Sequence, residues 1–136
     1  MTVQNDIALP KVKPAVETSM KEAIQNLVET EQQVIVHGTY TASGFSDGIR
    51  IWATTFLCDQ HSDHKSKLIY LEGITGYPTW TLLAPGERIN FVLVFSGLPK
   101  SCTLFDLKEI IPEPDGFEIT SIRRNKTDVY HVNFNN

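Results

Sequence analysis

From Gln33 to the C-terminus, short hydrophobic runs alternate with polar turn segments. Residues 34–41 and 90–95 are rich in β-branched and aromatic side chains, which favour β-strands. Residues 104–110 alternate between hydrophobic and polar positions, as a strand with one buried face does. Further runs of this kind lie at residues 49–58, 68–74, 80–83, 117–122 and 129–134. The pattern therefore predicts seven or eight short strands.

Turn residues separate these runs. Pro85 and Gly86 occupy the second and third positions of a four-residue segment, residues 84–87. This placement predicts a type II turn, because the third position of such a turn needs a positive φ that glycine adopts easily. Polar segments rich in turn-forming residues predict loops at residues 43–48, 61–67 and 112–116.

The N-terminal region does not follow the strand pattern. Residues 1–15 contain Pro10 and Pro14 and little periodicity, which is typical of an extended arm. In residues 16–29 hydrophobic side chains recur at helical spacing, which favours a helix. A strand over residues 22–29, turning directly into the next strand, is the alternative.

The order of these elements decides the expected fold class. Parallel α/β folds need a crossover helix between neighbouring strands, and the pattern places none between the predicted strands. Many short strands joined by turns are typical of an antiparallel sandwich. We therefore expect an all-β, antiparallel immunoglobulin-like β-sandwich of seven or eight strands, with a closed barrel as the second choice.

Composition narrows the class of partner. The 136-residue chain has 12 basic and 16 acidic residues, a formal charge of −4, which argues against a nucleic-acid-binding protein. No apolar run reaches the roughly 18 residues that a membrane helix requires, and the first residues lack the features of a signal peptide. We therefore expect a cytoplasmic protein with no membrane partner, in which Cys58 and Cys102 are reduced thiols.

Four motifs between Leu82 and Ile122 carry a family resemblance. They are Pro85-Gly86-Glu87, Phe91-Val92-Leu93-Val94-Phe95, Gly97-Leu98-Pro99-Lys100 and Phe105-Asp106-Leu107-Lys108-Glu109. Their order resembles accessory β-sandwich modules of bacterial proteins, which are similar to immunoglobulin-like domains found beside larger enzymes or exported proteins. The resemblance implies a strand within residues 22–29, and hence an arm at residues 1–21 followed by a β-sandwich domain at residues 22–136. It says little about activity.

The segment from Cys58 to His64 holds the densest cluster of metal-binding residue types. Cys58, His61 and His64 supply one thiol and two imidazoles, which are ligands that zinc prefers. A structural zinc site normally uses a second, distant pair of ligands, and the neighbouring lysines indicate a solvated loop. A polar loop is therefore the simpler interpretation, and no cofactor is predicted.

The sequence favours a binding function over catalysis. It has none of the common catalytic motifs, so we do not expect an enzyme. Tyr77 and Trp80 lie in a predicted connection, where exposed aromatic rings often bind ligands, whereas Trp52 is expected in the core. Arg123 and Arg124 place positive charge in a predicted turn. We predict a non-catalytic binding or adaptor module that engages a partner protein through a sheet edge or a loop patch, with Tyr77, Trp80, Arg123 and Arg124 as the contact residues.

Three alternatives remain open from the sequence. One is a metal-binding protein or metal-dependent enzyme built on the cysteine–histidine segment, and another is a carbohydrate-binding module that uses Tyr77 and Trp80. The chain could also form a homo-oligomer or be one subunit of a larger assembly.

Overall fold

The computed structural model describes residues 32–135, whose regular secondary structure consists entirely of β-strands. There are nine strands among these residues: β1 (Val34–Thr41), β2 (Asp47–Ile49), β3 (Thr55–Asp59), β4 (Lys65–Glu72), β5 (Thr81–Leu83), β6 (Arg88–Phe95), β7 (Leu104–Glu109), β8 (Glu118–Arg123) and β9 (Val129–Asn133). The all-β prediction is confirmed for this part of the chain. The helix-or-strand alternative at residues 16–29 lies outside the described residues.

Seven strands form one mixed sheet in the order β8-β7-β3-β4-β6-β1-β9, and β2 and β5 form a separate two-stranded sheet. Neighbouring strands are antiparallel except β1 and β9, which are parallel. The prediction of a purely antiparallel arrangement is therefore wrong at this pair. Parallel neighbours need a long connection. Here the connection is the rest of the sheet, because β1 and β9 are the first and last described strands.

The large sheet curls so that its two halves share one core. Lys65–Lys67 of β4 pair with β3, whereas β4 pairs with β6 from Leu68 onward, with an irregularity between Leu68 and Tyr70. Phe105 of β7 contacts Tyr130 of β9 edge to face, with ring centroids 5.1 Å apart. These two strands lie far apart in the sheet order, so only strong curvature brings their side chains together.

Aromatic and branched side chains fill this core. The largest fully buried ones are Phe95, Phe105, Phe134, Ile51, Leu57, Leu93, Leu98 and Leu107. Gly38 of β1 lies directly against Phe91 and Phe134, and a Cβ atom there would approach Phe134 Cε1 to 2.8 Å. That strand position therefore requires glycine, because any side chain would overlap both rings.

The prediction of a single strand over residues 49–58 is wrong. Residues 49–58 form two elements in different sheets, because β2 ends at Ile49 and β3 begins at Thr55. Between them, Ile51 forms an isolated bridge to Gly76. The Trp52 N–H donates to the side chain of Glu109, to Oε2 at 2.9 Å, instead of to a backbone carbonyl of a neighbouring strand. The alternation of hydrophobic residues by itself predicts one continuous strand, but these tertiary contacts interrupt it.

Other local predictions agree more closely. The Glu87 N–H donates to the Ala84 carbonyl at 3.0 Å, and Gly86 has a φ of 75°, which confirms the type II turn. The predicted loop at residues 61–67 is wrong in its second half, because β4 already begins at Lys65. Cys58 and Cys102 are free thiols. Among residues 32–135, no helix is long and apolar enough to cross a membrane.

Candidate binding surface

Four side chains form an aromatic cluster at the edge of the molecule: Arg50, Trp52, Tyr77 and Trp80. The rings of Trp52 and Tyr77 stack with centroids 3.7 Å apart. Arg50 Cζ lies 3.8 Å from the centroid of the Trp80 ring and 4.6 Å from that of Tyr77. A guanidinium over an aromatic face is attracted by the ring quadrupole, so Arg50 joins the two aromatic units.

Backbone hydrogen bonds hold the two connections that carry this cluster. The Ile51 N–H donates to the Thr75 carbonyl, and the Tyr77 N–H donates to the Ile51 carbonyl, both at 2.9 Å. Arg50 Nη1 donates to the Pro78 carbonyl at 3.1 Å, next to the cis peptide bond between Tyr77 and Pro78. The segment between β2 and β3 and the segment between β4 and β5 therefore run side by side, which presents their aromatic rings together.

An acidic cavity of about 330 Å³ opens beside the cluster. Its carboxylates come from three segments: Asp47 of β2, Glu109 of β7, and Glu113 and Asp115 of the β7–β8 connection. Among residues 32–135, Arg50 is the only cationic residue in its lining. The remaining lining is Tyr40, Gly48, Trp52, Trp80, Ile111 and Phe117. The cavity therefore combines aromatic walls with an excess of negative charge.

The two innermost carboxylates also support the surrounding structure. Glu109 is buried and accepts hydrogen bonds from the Trp52 and Phe117 N–H groups. Burial raises the pKa of the Glu109 carboxyl, although these N–H groups act in the opposite direction. Asp47 accepts from the Tyr40 hydroxyl at 2.7 Å, and this bond lowers the pKa of the Asp47 carboxyl. Burial, together with Asp47, raises the pKa of Tyr40 to about 12.

Tyr77 of the cluster also lines an apolar groove. The groove has a volume of about 230 Å³ and is lined by Ile51, Ala53, Leu68, Ile69, Tyr70, Leu71, Gly76 and Tyr77. Ile69, Tyr70 and Tyr77 are each about half exposed. Trp80 and Leu82, which both lie against Gly48, are exposed as well. Hydrophobic residues exposed in one area mark interaction surfaces more often than isolated ones do.

A larger, open depression of about 640 Å³ crosses β4, β6, β1 and β9. The rings of His37 and His131, which are paired in register, stack there with centroids 5.0 Å apart. Arg88 and Glu72 lie in the same lining. The depression thus combines both signs of charge and lacks a cluster of large aromatic rings, so its chemistry selects a ligand less clearly than that of the smaller acidic cavity.

The structure separates the four residues that were predicted to contact a partner. Tyr77 and Trp80 meet in the aromatic cluster, where Arg50 lies against both rings. Arg123 is exposed on β8. Arg124 is largely buried and donates to Asp128 Oδ1 at 2.6 Å and to the Pro99 carbonyl at 2.8 Å. Arg124 therefore fastens the β8–β9 turn, and its donors are used within the protein.

The residues of the predicted metal site are placed as follows. Cys58 is half-buried on β3, and His61 is exposed in the following loop. His64 Nε2 lies 2.9 Å from Ser66 Oγ and 3.1 Å from the Gly97 carbonyl. Across residues 32–135, no group of three or more histidine, cysteine, aspartate or glutamate side chains could hold a metal ion. The structure thus does not assemble these three residues into a metal centre.

Sequence reasoning missed most of the surroundings of Tyr77 and Trp80. Arg50 stands between two buried isoleucines and has no motif around it. Trp52 was expected in the core but is only half-buried. The cavity carboxylates are spread from residue 47 to residue 115. The proline and glycine near Tyr77 were the one local signal, since they indicate an exposed connection.

Comparison with protein-family models, with curated proteins and with solved structures finds no match for this chain.

Proposed function

We propose that this chain is a non-catalytic binding module that engages a partner protein through one continuous surface. The surface consists of the apolar groove, the aromatic cluster and the acidic cavity. The observation that carries the proposal is the position of Tyr77, which lines the groove and also stacks on Trp52 of the cavity wall. Apolar, aromatic and charged areas therefore adjoin, as in the centre and rim of a protein interface.

The engagement of the carboxylates supports binding over catalysis. Glu109 uses both of its oxygens to accept backbone N–H groups, and Asp47 accepts from Tyr40 and Gly48. A general acid or base must have its carboxylate free to reach the substrate proton. Glu109 and Asp47 instead hold the walls of the cavity in place.

A carbohydrate ligand remains the second candidate, because exposed rings next to carboxylates can stack on sugars and accept from hydroxyls. The covered faces of these rings favour a protein partner over a sugar. Arg50 already covers one face of Trp80, and Trp52 covers one face of Tyr77. A sugar platform needs open ring faces, whereas a protein partner can also pack against ring edges.

The family relationship is part of the same proposal. Pro85-Gly86-Glu87 lies in the turn before β6, and Gly97-Leu98-Pro99-Lys100 lies in the connection from β6 to β7. The resemblance to immunoglobulin-like accessory modules implies corners at such motifs, and these turn positions are what supports it. The parallel pairing of β1 with β9 departs from the antiparallel arrangement expected for such a module. We keep the relationship as a proposal that the corner motifs support.

Affinity capture from the native source tests the proposed function. The baits are the wild-type chain, Tyr77→Ala, and the control Arg123→Gln on the β8 edge. We expect at least one protein to be recovered about tenfold less with Tyr77→Ala and equally well with Arg123→Gln, provided that both variants melt near the wild-type temperature. Equal recovery with all three baits would contradict the proposed surface. A saturable tryptophan response to one member of a glycan panel would favour the carbohydrate function.

A further inference from the structure

The two cavities of the proposed surface differ in chemistry, and this difference restricts what can occupy them. The groove is lined by hydrophobic side chains and by Gly76. The described lining of the acidic cavity has four carboxylates and one guanidinium. Tyr77, which lines the groove, stacks on Trp52, which lines the acidic cavity. An occupant that fills both therefore needs an apolar part and a charged part close together.

The charge of the acidic cavity favours a cation. The guanidinium of Arg50 is turned to the Trp80 ring and the Pro78 carbonyl, and only 12 % of its side chain is exposed. Asp115 has no hydrogen bond or ion pair within the described part of the chain, and Glu113 is half exposed. Two exposed carboxylates, Asp115 without a described partner and Glu113 at 3.9 Å from Arg50, leave a negative potential at the cavity that attracts positive charge.

The walls of the cavity also favour a positively charged occupant. Trp52, Trp80, Tyr40 and Phe117 surround the carboxylates. A lysine ammonium or arginine guanidinium gains from an aromatic face as well as from a carboxylate. A purely apolar occupant would instead bury carboxylates without a partner, which is costly. A second copy of this chain is disfavoured as occupant, because its formal charge of −4 repels a surface of the same sign.

We propose that the partner presents a short segment in which a lysine or arginine side chain enters the acidic cavity and a neighbouring apolar side chain fills the apolar groove. This inference rests on the proposed function and specifies its partner. The aromatic cluster separates the two side chains, and the polar atoms of Glu113 and Asp115 pair with the incoming cation. A basic–apolar peptide is therefore the ligand class of this surface.

Tryptophan fluorescence can report on this surface alone. The chain contains two tryptophans, and both belong to the aromatic cluster. The probes are acetyl-Leu-(Gly)n-Arg-amide peptides with roughly zero to three glycines, which cover the short spans that adjacent pockets require. Matched peptides that end in glutamine keep the length and the apolar residue but remove the positive charge.

We expect a saturable fluorescence change with at least one arginine peptide and about tenfold weaker binding of its glutamine counterpart. The double variant Glu113→Gln, Asp115→Asn should weaken binding of the arginine peptide by a similar factor. The matched control is Asp63→Asn, which removes an exposed carboxylate in the β3–β4 loop, at the far end of β3 from Glu109. This control should bind as wild type does.

Three results would overturn the inference. They are no saturable change with any arginine peptide, equal affinity for the glutamine peptides, or undiminished binding by the double variant. Protein capture also distinguishes failure of this inference from failure of the proposed function. If protein capture depends on Tyr77 but not on Glu113 and Asp115, the binding module stands and the basic–apolar peptide is wrong. If capture does not depend on Tyr77, the proposed function itself fails.

Discussion

Two arginines, Arg50 and Arg124, are nearly equally buried but are held in different ways. The exposed fractions of their side chains are 12 % and 17 %, respectively. Arg124 binds both oxygens of Asp128, at 2.6 and 3.0 Å, and donates to two backbone carbonyls. Arg50 makes one backbone hydrogen bond and otherwise lies against aromatic rings, with Glu113 at 3.9 Å.

Arg124 is a structural arginine, whereas Arg50 shapes a surface. Arg124 has its charge neutralised by a buried carboxylate, which leaves it little capacity for a ligand. The partners of Arg50 are the rings and the exposed carboxylate that themselves form the proposed surface. Burial alone would rank the two side chains as equivalent, so the nature of their partners decides which one is relevant to binding.

The largest expected effect comes from removing the structural arginine. Arg124→Leu leaves Asp128 buried without its cation, and loss of one partner of a buried ion pair costs about 3 kcal/mol of unfolding free energy. We expect the lower part of the usual range, because the Tyr130 hydroxyl still donates to Asp128 Oδ1. Urea unfolding measures the change.

The double variant Arg124→Leu, Asp128→Asn is its control. Asp128 has a φ of 55°, a conformation that asparagine also tolerates. If the unpaired charge causes the loss, the double variant should be clearly more stable than Arg124→Leu alone. Equal stability of the two variants would show that Arg124 acts mainly through its carbonyl hydrogen bonds.

Glu109→Gln tests the support beneath the aromatic cluster. The amide keeps one acceptor oxygen, so one of the two backbone N–H groups loses its partner, at a cost of about 1–3 kcal/mol. The pH dependence should also change. Because the pKa of Glu109 is raised in the folded state, its stabilising contribution is present below the ordinary carboxyl pKa and is lost as pH rises through the raised value.

Urea midpoints measured between about pH 4 and pH 8 check this expectation, since that window spans the titration of a carboxyl with a raised pKa. The difference in stability between wild type and Glu109→Gln should be largest at the acidic end and should shrink as pH rises. Asp47, whose pKa is lowered, is present in both proteins and cancels in the difference. A constant difference across the window would contradict the raised pKa.

Arg50→Lys tests whether the planar guanidinium or only its positive charge holds the aromatic cluster together. Lysine keeps the positive charge near Glu113 but lacks the planar guanidinium that stacks on Trp80. We expect a loss of about 1 kcal/mol, together with a changed tryptophan emission, because both tryptophans lie in the cluster. If stability and emission match those of wild type, a positive charge at this position is sufficient and the stacking has no measurable role.

The smallest effect is expected at the arginine next to the structural one. Arg123→Gln should change the unfolding free energy by less than about 0.5 kcal/mol, because the side chain is exposed on an edge strand. It should also leave protein capture unchanged. A loss of capture would restore Arg123 as a partner contact, as the sequence predicted, and would place a second contact outside the aromatic cluster.

Local patterns predicted most of the strands because hydrophobic alternation depends on neighbours in sequence. β1, β6, β7, β8 and β9 lie within about two residues of their predicted bounds. The alternation failed at residues 50–54. There Ile51 is buried but Ala53 is exposed, and the contacts of Trp52 with Glu109 and of Ile51 with Gly76 hold the backbone outside both strands. The responsible residues lie more than 20 positions away, so no local window contains them.

The proposed surface depended even more on tertiary structure. The sequence identifies Tyr77 and Trp80, because they lie in a predicted connection, where exposed aromatic rings often bind ligands. Their grouping with Arg123 and Arg124 had no local basis, and the structure places Arg124 in an ion pair. Asp47 and Glu113 reach the same cavity only because their segments meet when the sheet folds.

The amino-acid sequence by itself determined the β class, the type II turn at Gly86 and the presence of an aromatic connection, since each follows from intrinsic preferences of a few adjacent residues. The tertiary structure alone decided that β1 pairs parallel with β9, that Arg50 stacks on Trp80, and that carboxylates from three segments share one cavity. These features depend on contacts between residues far apart in the chain. Such contacts form only when burial of the common core brings the segments together.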